Sequence, residues 1–539
     1  MLRRRRLIGQ ACLGLGLGGP AFASQPKKPD VQNAIAETSR GRVRGSNSDG
    51  IKVFKGIPYG ATTGGANRFR AAKPAEPWSG VRDTTAYGPI CPQEIRPRSS
   101  LEASWPVELT MSEDCLLLNI WTPALRDHHK RPVMVWMHGG GFSRGSGANP
   151  VYDGTNLARK GDVVVVTLGH RLNIFGHLYL ARLGGSEFAE SGNLGVLDLI
   201  AALHWIHTNI AEFGGDPANV TIFGQSGGGA KVSTLMAMPQ TRGLFHRAVV
   251  QSGSWLDALT MDEANANTLS FLKAAEISPS DLSRLQRMTS EDLLAALRKV
   301  MRASGPKPQF SPVADGRFLS KAPWLPDGPA NSATVPMMIG TTKTETTSLV
   351  GAADPSVFTL DETGLRKKLV GWLPSNEIDR VIAGYRKSAP HATQTELFFA
   401  ITTARRFRQP AWTQAEHKLA QNAAPVWLYE LDWQSPVDEG KWGAPHSLDL
   451  AFVFDNVAKS ESMVGQGDGP RDLAEQMSSA WLAFARTGNP NNKGLPQWGQ
   501  FRVPERATMV FDTKSRTMSD FRGDERQLLA SFPLYRVGR

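Results

Sequence analysis

Val220-Thr221-Ile222-Phe223-Gly224-Gln225-Ser226-Gly227-Gly228-Gly229 begins as an apolar, β-branched run and ends in a cluster of small residues. It reads as a strand that enters a tight turn and opens a helix over Ala230 to Met238. Gly224, Ser226 and Gly228 match the pattern G-x-S-x-G. A serine at the tip of such a turn sits in a strained backbone conformation, with its hydroxyl projecting above the sheet. Its neighbours must be small because strand and helix nearly touch there. The chain holds 53 glycines, so this pattern needs support from the rest of the sequence.

Working outward, apolar strand-like runs recur at Val133–Met137, Val163–Val166, Ala248–Val250, Pro336–Ile339 and Val426–Tyr429. Short continuous runs of this kind suit strands buried on both faces. Helix-period segments lie between several of them, including Leu194 to Ile210 and Ala474 to Thr487. The alternation predicts an α/β fold with a mostly parallel sheet. Leu256 to Pro326 and Val350 to Pro425 carry mainly helical patterns and read as insertions over one edge of that sheet. No repeat or linker splits residues 31–539, which are expected to form a single domain.

The N-terminus reads as an export signal over residues 1–23. Arg3 to Arg6 are cationic, Leu7 to Gly19 are mildly apolar, and Ala21-Phe22-Ala23 offers an A-x-A cleavage site. Paired arginines before a weakly apolar stretch look like a twin-arginine signal. Residues 24–30 form a polar, flexible lead-in. The segment holds four arginines and no acid, so cleavage takes the net charge from +11 to +7. A mature protein with 41% hydrophobic and 21% charged residues suits a globular enzyme in the periplasm or outside the cell. No later stretch reaches about 18 uninterrupted apolar residues, so no membrane span is expected in the mature chain. After export only Cys91 and Cys115 remain, and an oxidising compartment suggests one small disulfide loop, which could stabilise by about 3 kcal/mol.

A nucleophilic serine needs oxyanion donors, a base and an orienting acid. His138-Gly139-Gly140-Gly141-Phe142 follows directly on the strand Val133–Met137. Three glycines let consecutive N–H groups converge on one point, and H-G-G-G after a strand is an oxyanion-hole motif. Of the 11 histidines, His446 alone stands in a Gly/Pro loop beyond a late strand, where the order serine, acid, histidine requires it. Glu345 lies just past the strand Pro336–Ile339, at the sheet end where open α/β folds place their sites. Spacing alone leaves Asp315 and Asp361 open as the acid. His204 and His207 lack a third ligand nearby, so neither a metal nor another cofactor is expected.

Further stretches carry a resemblance. They are Gly56-Ile57-Pro58-Tyr59, Arg68-Phe69, Pro89 to Gln93, Ser112 to Asn119, Gly192-Asn193 with Asp198, Phe213 to Pro217, and Phe484-Ala485 with Gly488-Asn489-Pro490. With these motifs in this order, nearly all of residues 31–539 resembles the type-B carboxylesterases. That family of α/β hydrolases includes cholinesterases and bacterial para-nitrobenzyl esterases. The resemblance implies an α/β-hydrolase fold, with a large, mostly parallel central sheet flanked by helices and helical insertions over an active-site gorge. It implies Ser226 as nucleophile, Glu345 as acid and His446 as base. It also implies Gly140, Gly141 and Gly227 as the oxyanion hole, a Cys91–Cys115 disulfide, and a structural salt bridge between Arg68 and Glu113. Three positions depart from the family: Gln225 stands where Glu is usual, Gly227 where Ala is usual, and Gly169 where Asn is usual.

The expected activity is therefore hydrolysis of a carboxylic ester through an acyl-enzyme. An amidase, carbamate or lactone hydrolase using the same triad is the alternative, with a non-catalytic binding domain as the rival from another class. The expected partner is a small-molecule ester and no nucleic acid; the oligomeric state is left open. Trp105, Gln225 and Phe142 are the candidate substrate-binding residues. Trp105 resembles a cholinesterase tryptophan that could hold a quaternary ammonium by cation–π attraction, although a gorge-wall or loop-packing role is the favoured reading. Gln225 removes an acid beside the nucleophile, the chain is basic, and Arg405, Arg406 and Arg408 cluster in the second insertion. These features point toward a bulky, anionic ester, such as the polycarboxylate esters of fumonisins that members of the family cleave.

Overall fold

The computed structural model describes residues 34–536 apart from 98, 107–109 and 305–306. The export signal and lead-in expected over 1–30 lie outside the described residues. Eleven strands form one sheet. In chain order they are β1 (Ser46–Ser48), β2 (Ile51–Pro58), β3 (Leu117–Thr122), β4 (Arg131–Met137), β5 (Val164–Leu168), β6 (Gly215–Gln225), β7 (Arg247–Gln251), β8 (Met337–Thr342), β9 (Val426–Leu431), β10 (Thr508–Phe511) and β11 (Arg516–Met518). Across the sheet they run β11-β10-β9-β8-β7-β6-β4-β5-β3-β2-β1. The stretch from β10 to β5 is parallel throughout, while β11 at one edge and β3, β2 and β1 at the other pair antiparallel. Each apolar run read as a strand is one, and all six lie in the parallel centre.

Alternation explains why those runs are apolar without a break. Val133, Val135, Val164, Val166, Val220, Ile222, Val250 and Ile339 point into one core, under the helices Leu194–Asn209 and Gly227–Ala237. Met134, Trp136, Val165, Phe223, Val249, Met338 and Trp427 point into a second core, against the helix Asp468–Thr487. Both faces are covered, so every position of a central strand is dry. The segment Ser191–Phe213 is long and apolar enough to cross a membrane, and most of it is buried inside the fold. Its composition answers to packing on several sides rather than to a one-sided stripe. The insertions are helical: Met261–Ala274 and Ser290–Arg302 in the first, Ile378–Ser388, Gln394–Thr403 and Gln409–Ala420 in the second.

Two buried ion pairs tie the loops to this frame. Arg171 meets Asp198 through two parallel bonds of 2.8 and 2.6 Å, with both residues almost fully buried. Arg68 also faces Glu113 with two nitrogens, Nε at 2.7 Å, and its Nη1 donates to the carbonyls of Leu285 and Met288 at 2.6 and 2.8 Å. The first insertion is thereby fastened to the N-terminal loop. The fork of an arginine suits such bidentate work.

The structure carries no bond between the two cysteines expected to pair. Cys91 and Cys115 lie side by side as buried free thiols. The Cys91 sulfur accepts the Leu172 N–H at 3.3 Å and lies 3.7 Å from the Pro92 carbonyl. The hydrogen-bonded Cys91 sulfur and burial push the Cys115 thiol well above its ordinary range, which holds it protonated and unreactive. Alkylation of the denatured, unreduced protein is expected to label both cysteines; a mass showing neither labelled overturns this state.

The turn after β6 is the tightest place in the fold. A Cβ on Gly228 would sit 1.9 Å from the Met137 carbonyl oxygen, and one on Gly224 would sit 2.5 Å from the Gly228 carbonyl carbon. Backbone cannot yield as a side-chain tip can. Gly228→Ala is therefore expected to lower stability by about 3 kcal/mol or more. Gly469→Ala, at an open position on the helix Asp468–Thr487, stays within about 1 kcal/mol. Chemical denaturation of the two variants checks this contrast.

Candidate active site

Ser226 stands between β6 and the helix Gly227–Ala237 at φ 59°, ψ −125°. This is a region that only glycine enters easily, and the surroundings must enforce it. The Ser226 N–H donates to the Gln251 carbonyl at the end of β7 at 2.8 Å, and its carbonyl accepts the Ala230 N–H at 3.0 Å. The residue is partly exposed while Gln225 and Gly227 are buried. A strained serine that shows only its tip fits a nucleophile elbow.

Glu345 and His446 come from the ends of neighbouring strands. Glu345 lies three residues past β8, is fully buried, and accepts the Thr342 N–H at 2.8 Å. His446 lies on the loop after β9, and its Nδ1 is 2.5 Å from the second Glu345 oxygen. That contact orients the ring and leaves Nε2 to work on a proton. The two aspartates that spacing left open are spent elsewhere. Asp315 accepts the N–H groups of Arg317, Phe318 and Leu319, and Asp361 caps the helix Glu362–Leu369. His204 and His207 are exposed on their helix, and no group of three or more His, Cys, Asp or Glu among the described residues could hold a metal.

The H-G-G-G loop leaves β4 beside the elbow. Gly140 and Gly141 both take positive φ, 91° and 63°. A Cβ on Gly227 would meet Gly141 at 2.2 to 2.4 Å, so the loop occupies the space that any larger residue at 227 would need. Gly141 and Gly227 thus lie in backbone contact, with Gly140 the residue before.

Gln225 lies against the histidine: its Nε2 is 3.2 Å from His446 Nε2 and 3.4 Å from Nδ1, while its Oε1 accepts the Ser447 hydroxyl at 3.2 Å. Phe142 is buried between His177 and Trp255, with ring centroids 5.4 and 5.6 Å away. Trp105 is also buried, and its indole N–H donates to the Ser460 hydroxyl at 3.2 Å. That bond commits the indole edge to the loop that carries Ser460.

Sequence reasoning missed three neighbours of the site. Phe407 packs on His446 with ring centroids 5.2 Å apart. Asp449, three residues past His446, is fully buried and takes the Gln251 amide at 2.8 Å. Burial, with the Glu345 charge adding to it, lifts its carboxyl to about 6. Lys231 is fully buried one turn past the elbow and donates to the carbonyls of His138 and Gly141. Only the closeness of Asp449 to His446 and of Lys231 to Ser226 in the chain signalled any of them.

A family profile described as the carboxylesterase family matches residues 32–528. The para-nitrobenzyl esterase of Bacillus subtilis (strain 168) is 36% identical over 507 residues, covering 93% of this chain and 99% of the relative. A phenmedipham hydrolase of Pseudarthrobacter oxydans is 33% identical, covering 89% and 95%. Among solved structures, a Geobacillus stearothermophilus carboxylesterase superposes with a TM-score of 0.80 at 38% identity, over 92% of this chain and 99% of that one. The chain belongs to the carboxylesterase family and is a carboxylic-ester hydrolase with the α/β-hydrolase fold.

Proposed function

We propose that Ser226, His446 and Glu345 form the catalytic triad, and that the ester this enzyme prefers carries a carboxylate. His446 takes the Ser226 proton as the hydroxyl oxygen attacks the ester carbonyl. Buried Glu345 holds the ring through Nδ1 and balances the imidazolium that forms. The N–H groups of Gly140, Gly141 and Gly227 receive the oxyanion; a donor in that role contributes about 10²–10³-fold in rate. His446 then returns the proton to the leaving alcohol, and water repeats the sequence on the acyl-enzyme.

Arg406 is the observation that supports an anionic substrate. Ala404–Arg408 form a single π-helical turn between the helices Gln394–Thr403 and Gln409–Ala420. Such turns recur at functional sites because they re-aim side chains. Of the three arginines read as a cluster, two are committed. Arg405 holds Gln409 and the carbonyls of Trp372 and Pro533, and Arg408 holds Glu525 with the carbonyls of Lys343 and Ala400. Arg406 is half-buried, rests 5.3 Å over the Phe407 ring, and has no hydrogen bond or ion pair among the described residues. Burial lowers its pKa, and the charges of Tyr535 and Glu345 only partly oppose this. A desolvated guanidinium on the aromatic ring that touches His446 is matched by a carboxylate two or more atoms from the scissile bond. Polycarboxylate esters of the fumonisin type fit this description, as does any bulky monoester of a dicarboxylic acid. The arginine-led N-terminal segment supports export to the periplasm or beyond.

Ser226→Ala is expected to lower ester turnover by at least about 10⁴-fold with the fold intact; turnover near wild type refutes the assigned nucleophile. The substrate class is tested with 4-nitrophenyl hydrogen glutarate, its neutral isostere 4-nitrophenyl valerate, and butyrylcholine. The expected order of kcat/KM is glutarate, valerate, choline ester, with the glutarate advantage shrinking as salt is added. Arg406→Gln is expected to cost the glutarate about 10- to 100-fold and the valerate no more than about threefold. A choline ester ranked first, or equal losses on both aryl esters, refutes the anionic reading while leaving the triad untouched.

A further inference from the structure

Lys231 occupies a place where a charge is hard to explain structurally. It lies within the helix Gly227–Ala237, one turn past Gly227, and its side chain is fully buried. Helical side chains lean toward the N-terminus of their helix. Its ammonium therefore reaches back beneath the elbow, where Nζ donates to the His138 carbonyl at 2.9 Å and to the Gly141 carbonyl at 2.8 Å. These two carbonyls bracket the segment that carries the Gly140 and Gly141 N–H groups. The Phe142 ring, the next residue, lies 5.7 Å from the same nitrogen.

The other charge-capable groups around the ammonium are imidazoles. His138 and His170 stack with centroids 5.0 Å apart, and each turns Nδ1 to a backbone carbonyl at 2.8 Å. His177 does the same with Gly192 at 3.1 Å. Burial, with the Lys231 charge adding to it, holds His138 down to about 3 and His170 well below its ordinary range. Burial also takes His177 to about 3, again with a contribution from Lys231. Among the described residues no carboxylate balances the lysine, and burial pulls it down to about 7. A buried ammonium without a counter-ion is costly unless its hydrogen bonds do something an uncharged residue could not.

What they hold is a run of three glycines with no conformational preference of its own. Gly141 lies so close to Gly227 that a Cβ there would be 2.2 Å from the Gly141 nitrogen. The departure at 227 and the lysine at 231 therefore act on the same spot: one opens the space, the other draws the loop into it. We propose that Lys231 is a positioning residue of the reaction, a cationic staple that fixes the oxyanion loop in its working geometry from behind. It touches no substrate and acts through Gly140 and Gly141.

The proposal rests on the oxyanion role given to those glycines and is independent of the anionic-substrate reading, so its test uses a neutral ester. Lys231→Met keeps the length and removes the charge and donors. With 4-nitrophenyl acetate it is expected to lower kcat at least tenfold with KM changed less than about threefold. A trifluoromethyl ketone, whose hemiketal oxygen occupies the oxyanion position, is expected to lose affinity by a factor matching the loss in kcat. A folded Lys231→Met with wild-type kcat and inhibitor affinity overturns the proposal, and so does a variant that loses only thermal stability. If Lys231→Met does not fold, Lys231→Gln is read by the same two criteria, and Gly227→Ala supplies the converse. Gly227→Ala pushes Gly141 away from the elbow and is expected to weaken the ketone more in the wild-type background than in Lys231→Gln, where the loop is already released. Equal, additive losses in the two backgrounds overturn the coupling.

Discussion

The Met137 carbonyl and the Gly228 backbone occupy one another's space to within the width of a missing methyl group. This contact joins the end of β4 to the start of the helix after β6. It brings the H-G-G-G loop and the turn at Ser226 to the same point, and everything else in the site is placed relative to it. The sheet order makes it possible, because β4 and β6 are parallel neighbours with Met137 opposite Gly224. A packing rule therefore precedes the chemistry. Small residues at 224, 227 and 228 are needed to seat the helix, and the strained serine follows from that seating.

The same parallel frame delivers the other two groups. Parallel strands end on one side of the sheet, so loops after β4, β6, β8 and β9 meet although they are far apart in sequence. Glu345 follows its strand closely, and the longer loop after Leu431 carries His446 back to bond it at 2.5 Å. Both side chains are buried, Glu345 completely, and each is held in place by the other.

Much of this was readable in the sequence. The six apolar runs announced the parallel centre because a strand covered on both faces has no polar period. The elbow and the glycine loop announced themselves because their backbones demand glycine. Glu345 was not separable from Asp315 by spacing, since a carboxylate's role depends on which N–H groups surround it, and Asp315 turned out to serve three of them. The cysteine pair shows the converse: proximity was legible, oxidation state was not. Arg406 and Arg405 look alike in sequence and differ in burial and in whether Gln409 and backbone carbonyls lie within reach. Lys231 was invisible because a lysine in a helix ordinarily faces water, and nothing local says that this helix is buried on every side.

The π-helical turn over Ala404–Arg408 has an evolutionary consequence. A π turn carries one residue more than the α-helix around it, so losing that residue would restore a regular helix. Each residue of an α-helix advances the azimuth by about 100°, so Arg406 and Phe407 would swing away from His446 together while the flanking helices kept their register with the core. A single codon deletion or insertion at this turn would thus exchange the lining of the site for a different set of side chains in one step. A change of length at this one turn would alter what packs on His446 while leaving the sheet alone.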